Sequence, residues 1–226
     1  MANSNYWVHD LDPFLFQFTE SFGIRYYGLA YALGFLFGMW LLHLFCKHGK
    51  AALTPEQQSF TITAMMIGVL LGGRMGYMVF YALDETLHQP WIIFQVWKGG
   101  MASHGGFIGV LVACWWVTKK LNLSFLQLGD LLCPLVPPGI LLGRIANFIN
   151  GELWGKVTQV PWAVIFPQSA SLLGTPLDQI APRHPSQLYE AGLEGALLLV
   201  YSQWRLWKTD VLSSPGRLTG EFLAIY

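Results

Sequence analysis

The chain has 226 residues, of which 54% are hydrophobic and 12% are charged. A soluble domain carries about 25% charged residues, so this composition excludes an ordinary soluble domain and indicates a polytopic membrane protein. The 13 basic and 13 acidic residues balance, which leaves no net charge to attract nucleic acid. Three cysteines lie far apart in apolar runs and are predicted to be small buried residues, not metal ligands or disulfide partners: Cys46, Cys114 and Cys133.

Apolar runs along the chain predict an all-α polytopic membrane protein. About 20 apolar residues form a helix long enough to cross the ~30 Å hydrocarbon core. Five complete transmembrane helices and the start of a sixth are predicted, at 24–46, 59–83, 104–118, 124 to about 143, about 186–207, and from near 218. The fourth is expected to be bent or broken by Pro134, Pro137 and Pro138. We interpret 1–226 as a single transmembrane helical domain with an extracytoplasmic loop at about 150–185.

Small residues recur every four positions in three of the predicted helices. This spacing places them along one smooth face, where a neighbouring helix can approach closely. The three sets are Ala30, Gly34 and Gly38; Gly68, Gly72 and Gly76; and Gly105, Gly109 and Ala113. We therefore expect close helix–helix contacts along these faces. Phosphate-binding loops are not expected, because the Gly-Lys-Ser/Thr pattern of such loops is missing from the sequence.

The distribution of basic residues predicts that the N-terminus lies outside the cytoplasm. Short cytoplasmic loops of membrane proteins carry an excess of Lys and Arg. One side of the predicted topology holds Lys47, Lys50, Lys119, Lys120, Arg205, Lys208 and Arg217, while the longer loops of the other side hold Arg25, Lys98, Lys156 and Arg183. The first side is therefore predicted to be cytoplasmic. In the outer loop, Trp91 and Trp97 are expected at the membrane interface.

Residues 143–155 close the fourth predicted helix with polar side chains, including Arg144, Asn147, Asn150 and Glu152. A charge within a span costs ~2.5–3.5 kcal/mol on insertion scales, so it normally faces a cavity or a partner. With a rise of about 1.5 Å per residue, other polar groups also fall in the outer leaflet, namely Tyr27, Arg74, His104, Glu190 and Glu194, whereas Asp130 falls near the inner end. An arginine, an acid and two amides at a membrane face indicate an anion site. The expected anion is a phospholipid phosphate.

The segments that carry these groups resemble one known family. Residues 143–155 (GRIANFINGELWG) are similar to the signature of prolipoprotein diacylglyceryl transferase, as are 103–106 (SHGG), 26–28 (YYG) and 184–190 (HPSQLYE). The resemblance covers essentially the whole chain. It implies a multi-pass enzyme of the bacterial plasma (inner) membrane, with about seven spans in the full family and no cofactor.

That family transfers the diacylglyceryl group of phosphatidylglycerol to the lipobox cysteine thiol in a prolipoprotein signal peptide. The products are a thioether and glycerol phosphate. The implied partners are therefore phosphatidylglycerol, a prolipoprotein and membrane lipid, with no nucleic acid. The family continues past Tyr226 with a second functional arginine, a glutamate and another span, so this sequence is expected to be a fragment in preference to a truncated gene product.

Arg144 is the leading candidate for binding the phosphate, because a guanidinium is a planar, permanently charged fork that fits phosphate oxygens. The alternative is a structural ion pair with Glu152 or Glu190. Glu152 is expected to orient Arg144 within the substrate site. Asn147 and Asn150 could donate amide hydrogens to glycerol or phosphate oxygens, although Asn150 could equally cap the helix.

His104 is the candidate general base for the thiol, because the ordinary pKa of histidine is about 6.5 and that of cysteine is about 8.5. The alternative is a hydrogen-bonded interfacial histidine, and the resemblance favours catalysis. Gly105 and Gly106 are expected to let a substrate approach the backbone closely. A metal is not expected, because the other histidines show no ligand spacing with His104.

The resemblance adds Tyr27 and Tyr226 as catalytic residues that would donate phenol hydrogen bonds, and it places Gly155 in the substrate site. Arg74 is expected to pair with Glu190 or Glu194. We interpret that pair as a structural bridge in preference to a part of the head-group site.

A small-solute or ion transporter is the alternative function, because transporters also combine intramembrane charges with broken helices. Against it, the sequence shows no inverted repeat, and its polar groups are predicted at one membrane face and not near the midplane. An intramembrane serine protease is less favoured, because the chain lacks a Gly-x-Ser-x-Gly turn.

Overall fold

The computed structural model describes residues 6–19, 22–95, 99–170, 172 and 174–226. Most of these residues are helical. The helices are α1 (Tyr26–Lys47), α2 (Pro55–Phe80), α3 (Leu83–His88), α4 (Ser103–Leu121), α5 (Phe125–Leu132), α6 (Val136–Ile149), α7 (Ser186–Glu190), α8 (Leu198–Lys208) and α9 (Arg217–Ile225). A π-helical segment, Ala191–Leu197, joins α7 to α8. The strands are β1 (Trp7–Val8), β2 (Phe14–Thr19), β3 (Phe22–Arg25) and β4 (Val164–Ile165).

Three helical stretches of the described residues are long and apolar enough to cross a membrane: Tyr26–Lys47, Pro55–Phe80 and Phe125–Ile149. They confirm a helical protein with membrane-spanning potential. Helices also occupy the other predicted positions, but α4 ends in two lysines and the stretch from α7 to α8 carries two glutamates. The count of five spans and the start of a sixth therefore stays a prediction. Trp97 and Lys98, used for the topology, lie outside the described residues.

The proline-rich part of the fourth predicted helix is interrupted as expected. A short 3-10 turn, Cys133–Leu135, separates α5 from α6. Pro137 and Pro138 then lie in the first turn of α6, where backbone N–H groups have no partner within the helix. The predicted end near Gly143 is wrong, because α6 continues to Ile149. Arg144 and Asn147 are consequently held on a regular helix.

The described residues pack as two compact units. The first unit contains the described residues of 1–38, 134–209 and 222–226, and the second contains those of 39–133 and 210–221. The interpretation of 1–226 as a single transmembrane domain stays a prediction.

Close backbone contacts hold α6 in the first unit. A Cβ atom added to Gly34 of α1 would lie 3.2 Å from the Cα atom of Gly139. A Cβ atom added to Gly195 would lie 2.7 Å from the Cα atom of Leu141. The predicted small-residue face of α1 is therefore confirmed at Gly34. The π-helical segment packs still more closely against α6, at Gly195.

One short β pairing connects the N-terminal segment to the region after α6. Strands β1 and β4 are parallel, and β2 pairs with β3 in an antiparallel hairpin. The His9 backbone N–H donates to the Ile165 carbonyl at 2.8 Å, and its buried ring places Nε2 2.7 Å from the Phe148 carbonyl oxygen. These contacts fix the end of α6, which carries the candidate site.

Helices α2 and α4 form the centre of the second unit. A Cβ atom added to Gly68 would lie 2.6 Å from the Gly109 carbonyl oxygen, and one added to Gly76 would lie 2.6 Å from the Cα atom of Gly105. No side chain fits in these contacts without moving one helix. The two predicted glycine faces are thus confirmed, and they pack against each other.

Asp130, the polar residue predicted apart from the others, has a structural partner in the second unit. Its carboxylate is 1% exposed and accepts the backbone N–H groups of Gly216 at 2.6 Å and Thr219 at 2.8 Å. The Thr219 hydroxyl also donates to it at 2.8 Å. A carboxylate at a helix N-terminus satisfies free N–H groups and complements the helix dipole. Asp130 therefore caps the start of α9.

Candidate functional site

Arg144 is held by two acids in the first unit. Its Nη1 atom lies 2.8 Å from Glu190 Oε2, and its Nη2 atom lies 3.2 Å from Glu194 Oε2. Glu190 ends α7 and Glu194 lies in the π-helical segment, so a spacing of four residues brings both carboxylates to one side. The ion pair with Glu190, given as the alternative to phosphate binding, is thus present, and the phosphate role stays a prediction. The expected orientation of Arg144 by Glu152 is wrong, because Glu152 bonds elsewhere.

The charge of this cluster decides what it can bind. One guanidinium and two ionised carboxylates carry a formal charge of −1. The Arg144 side chain remains 26% exposed, so a ligand can reach it. Because the two carboxylates occupy different nitrogens of the guanidinium, an incoming anion competes with at least one of them. The site can exchange one anion for another, which a fully buried ion pair cannot easily do.

Glu152 is the acceptor at the centre of a second polar network. Its Oε1 atom accepts the Nδ2 groups of Asn147 at 2.8 Å and Asn150 at 3.3 Å. A carboxylate can only accept, which fixes which way both amides point. The two amides that were predicted to bind substrate are therefore each committed, through one hydrogen, to Glu152. Asn150 also occupies the C-cap position of α6, which agrees with the alternative of helix capping.

The backbone around Glu152 turns sharply. Gly151 has φ of +65° and Leu153 has φ of +56°, a region that glycine adopts freely and leucine rarely does. The Leu153 side chain is 59% exposed, so packing does not explain its conformation. The Glu152 N–H donates to the Asn147 carbonyl at 3.1 Å, which turns the carboxylate back toward α6. Backbone strain is thus located beside the central acceptor.

Tyr27 belongs to the same network. It lies in the first turn of α1, is 37% exposed, and its hydroxyl interacts with the side chains of Asn147 and Tyr31. The Tyr27 and Tyr31 ring centroids are 5.3 Å apart. The structure therefore brings together three predicted site residues from two helices and a turn: Tyr27, Asn147 and Glu152.

Gly155 has a packing role. Its N–H donates to the His184 carbonyl at 2.9 Å, and an added Cβ atom would lie 2.9 Å from the His184 Cβ atom. The fully buried Gln187 donates from Nε2 to the Glu152 carbonyl. Gly155 and Gln187 together dock the turn after α6 onto the start of α7. The sequence analysis gave no role to Gln187. Its position inside the motif at 184–190 could have indicated one, because it is an uncharged polar residue in a segment that resembles the family.

His104 lies in the second unit. It is an exposed residue in the first turn of α4. The expectation that Gly105 leaves space for substrate is wrong, because its face is filled by Gly72 and Gly76 of α2. The role of His104 as a base stays a prediction.

Tyr226 lies just beyond α9 and is 47% exposed. Its ring stacks on Phe222, with centroids 6.1 Å apart and an interplanar angle of 6°. The predicted catalytic role of Tyr226 stays a prediction.

Arg74 has partners of another kind, in the second unit. The side chain is buried and donates to five backbone carbonyls, those of Ile92, Ile93, Gln95, Gly99 and Gly100. The expected pairing with Glu190 or Glu194 is wrong, since both acids bind Arg144. The preference for a structural role was correct. Arg74 gathers the carbonyls of the loop that precedes α4.

Comparison with known proteins identifies the family of this chain. The family described as Prolipoprotein diacylglyceryl transferase matches residues 13–226. A Vibrio cholerae serotype O1 protein is 45% identical over 217 residues, which are 96% of this chain and 75% of the relative. A Legionella pneumophila protein (strain Corby) is 46% identical over 221 residues, which are 96% of this chain and 80% of the relative. Both relatives are named phosphatidylglycerol–prolipoprotein diacylglyceryl transferase.

Proposed function

We infer that this chain, which belongs to the prolipoprotein diacylglyceryl transferase family, transfers the diacylglyceryl group of phosphatidylglycerol to the lipobox cysteine thiol of a prolipoprotein. The observation that carries this conclusion is the match over nearly the entire chain to relatives whose names state both substrates. The transporter alternative finds no support among these relatives. The first unit supplies a cation, acids and amides at one end of α6, as such a reaction requires.

The reaction is a displacement at a glycerol carbon. The thiol loses its proton to a base, and the sulfur forms a bond to the carbon that carries the phosphate ester. The carbon–oxygen bond breaks, and its electron pair leaves with the phosphate oxygen. The products are a thioether and glycerol phosphate. Catalysis therefore needs a proton acceptor, a group that stabilises the departing phosphate, and a place where lipid and peptide meet.

Arg144 is proposed to bind the phosphate. A guanidinium forms two parallel hydrogen bonds to a phosphate, and Arg144 is exposed enough for a phosphate to reach it and replace one of its acids. Charge that develops on the leaving oxygen is then stabilised by a permanent cation. This role is supported by the present partners of Arg144, because they are carboxylates that another anion can replace.

Glu152, Asn147 and Asn150 are proposed to bind the glycerol of the head group. Two amides hold Oε1 of Glu152 in place, so the second carboxylate oxygen has a defined direction in which to accept a hydroxyl. Asn150 keeps a further N–H, whereas the side chain of Asn147 also interacts with the Tyr27 hydroxyl. Gly155 contributes to substrate binding through packing, because it positions the turn that carries Glu152.

The remaining catalytic residues are proposed as hydrogen-bond donors and as a base. Tyr27 and Tyr226 would donate phenol hydrogens to lipid oxygens. His104 would accept the thiol proton, since the ordinary pKa of histidine of about 6.5 suits a base at neutral pH. The exposed position of His104 in the first turn of α4 supports this role.

The membrane placement is also proposed. The protein would lie in the bacterial inner membrane with its N-terminus and the 150–185 loop on the extracytoplasmic side. Five spans and the start of a sixth would place the two α6 networks in the outer leaflet, where phosphatidylglycerol and the prolipoprotein signal peptide are both present. The three apolar helical stretches support a membrane location.

The experiment that tests this function measures thioether formation by mass spectrometry, with the protein in phosphatidylglycerol vesicles and a synthetic lipobox peptide. We expect product from the native protein and a loss in kcat/KM of about 100-fold or more for Arg144→Ala. The matched control is Arg217→Ala, since Arg217 is 61% exposed and pairs with Glu221 four residues away. Near-normal turnover by Arg144→Ala would remove Arg144 from the mechanism, and an inactive native protein would contradict the proposed function.

A further inference from the structure

The two acids bound to Arg144 differ in ways that suggest different tasks. We propose that Glu194 occupies the place of the lipid phosphate on Arg144 and leaves when lipid binds, whereas Glu190 stays and acts as a positioning residue. This inference rests on the proposed function, because it assumes that Arg144 binds the phosphate of phosphatidylglycerol. It makes Glu194 a competitor of the substrate that sets affinity for lipid.

The contact distances favour this division. Glu190 Oε2 lies 2.8 Å from Nη1 of Arg144, close enough for an ion pair, although its direction does not meet hydrogen-bond geometry. Glu194 Oε2 accepts a hydrogen bond from Nη2 at 3.2 Å, longer than the about 2.7–2.9 Å of a strong charge-assisted bond. The longer contact has the weaker direct charge attraction, so an incoming anion replaces it with less loss.

The geometry of the guanidinium supports the same choice. Within the described part of the chain, Arg144 Nε donates no hydrogen bond, and Nη2 donates to Glu194. If Glu194 leaves, Nη2 and Nε form a complete fork, the arrangement that binds a phosphate through two parallel hydrogen bonds. Nη1 can keep its contact with Glu190 at the same time. Displacement of Glu190 would free Nη1 but leave Nη2 engaged by Glu194.

The two acids also lie on different kinds of backbone. Glu194 lies in the π-helical segment, a rare irregularity that is frequent at functional sites. Gly192 in this segment has open space where a Cβ atom would lie, and Leu193 is 62% exposed. Glu190 instead ends α7 and is followed by the buried Ala191. Glu190, which has the shorter contact, thus lies on the regular α-helix.

Electrostatics makes the exchange necessary. The cluster of Arg144, Glu190 and Glu194 already has a formal charge of −1. A phosphodiester would add a further negative charge beside the remaining carboxylate, and like charges at this distance repel. Neutralising Glu194 removes that repulsion and the competition together. Binding of lipid should therefore become tighter when Glu194 loses its charge.

The test compares three charge-removing variants: Glu194→Gln, Glu190→Gln and, as the matched control, Glu85→Gln at an exposed position in α3. For each variant, kcat and KM for phosphatidylglycerol are measured together with product inhibition by glycerol phosphate, which reports anion binding without chemistry. For Glu194→Gln we expect KM and the inhibition constant to fall about three- to fivefold, with kcat changed less than about twofold. For Glu190→Gln we expect kcat to fall about tenfold, and the control should match the native protein.

Each outcome decides the proposal. An unchanged or raised KM in Glu194→Gln overturns it, and so does an identical response of the two acids. If Glu194→Gln does not fold, Glu194→Asp is measured instead. The shorter side chain keeps the charge but holds it farther from Arg144, so a fall in KM is again expected. A native protein that turns over lipid while Glu194→Gln fails to bind it more tightly refutes this inference alone. A native protein that forms no thioether refutes the proposed function as well.

Discussion

Two helical arginines in this chain have opposite surroundings. Arg74, in the second unit, is 6% exposed and donates to five backbone carbonyls. Arg144, in the first unit, has a side chain that is 26% exposed and contacts two carboxylates. The carbonyls belong to the fold and cannot leave without unfolding a loop. The carboxylates end flexible side chains and can be replaced by another anion.

The comparison teaches how a cation in an apolar protein becomes structural or functional. Backbone carbonyls are neutral, so they solvate a guanidinium without cancelling its charge, and they bind it permanently once buried. Carboxylates cancel the charge but compete with any other anion. An arginine therefore indicates a ligand site when its partners are mobile and partly exposed.

The largest effect is expected for Arg74→Met. The change leaves five carbonyls of the loop without their donor, and buried unsatisfied groups cost about 1–3 kcal/mol each before relaxation. We expect a loss of about 3 kcal/mol or more in the free energy of unfolding, measured as a lower unfolding midpoint in detergent. Arg144→Met should keep a near-native midpoint. Equal midpoints for the two variants would break the comparison.

A lysine at each position sharpens the contrast. Arg144→Lys keeps the charge but loses the planar fork, so kcat/KM should fall about 10- to 100-fold while the unfolding midpoint stays near native. Arg74→Lys should show the reverse, with a lower midpoint and a loss of activity no larger than the loss of folded protein. Paired measurement of thioether formation and unfolding on both variants gives the answer. A catalytic defect in well-folded Arg74→Lys would contradict a purely structural role.

Glu152→Gln tests the second network beside Arg144. Glutamine keeps an oxygen that accepts from Asn147 and Asn150 but loses the negative charge. We expect a change in stability below about 1 kcal/mol and a loss of about tenfold in kcat/KM. The loss should be larger with phosphatidylglycerol than with an analogue whose head group lacks hydroxyls. A similar loss with both lipids would argue against binding of the glycerol by Glu152.

The smallest effect is expected for Leu153→Gly, which isolates backbone strain from the contacts of Arg144. Leu153 has φ of +56° and an exposed side chain. Glycine relieves the left-handed conformation but adds freedom to the unfolded chain, so a net gain of about 0.5 kcal/mol is expected. The unfolding midpoint should rise slightly with activity preserved. A clear loss of activity would show that the Leu153 side chain itself contacts a substrate.

Part of the fold could be predicted because it depends on the spacing of residues along the chain. The glycines of α2 and α4 recur every four residues, and they meet as predicted, with Gly68 against Gly109. The end of α6 was misjudged by six residues, from Gly143 to Ile149. Polar residues after an apolar run suggest a helix end, but here the helix continues past them, and Asn147 and Asn150 bond to Glu152 in the turn that follows. The π-helical segment had no sequence signal that we recognised.

The sequence by itself determined a helical protein with apolar membrane-length segments, its family, and the grouping of Asn147, Asn150 and Glu152 within one signature. These depend on composition, on periodicity and on residues that are close along the chain or within a recognised motif. The tertiary structure decided which acid each arginine contacts. Arg144 pairs with Glu194, fifty residues away along the chain, and Arg74 pairs with no acid among the described residues. Ion pairing depends on distances between side chains that packing fixes, and charge alone does not specify a partner when several are available.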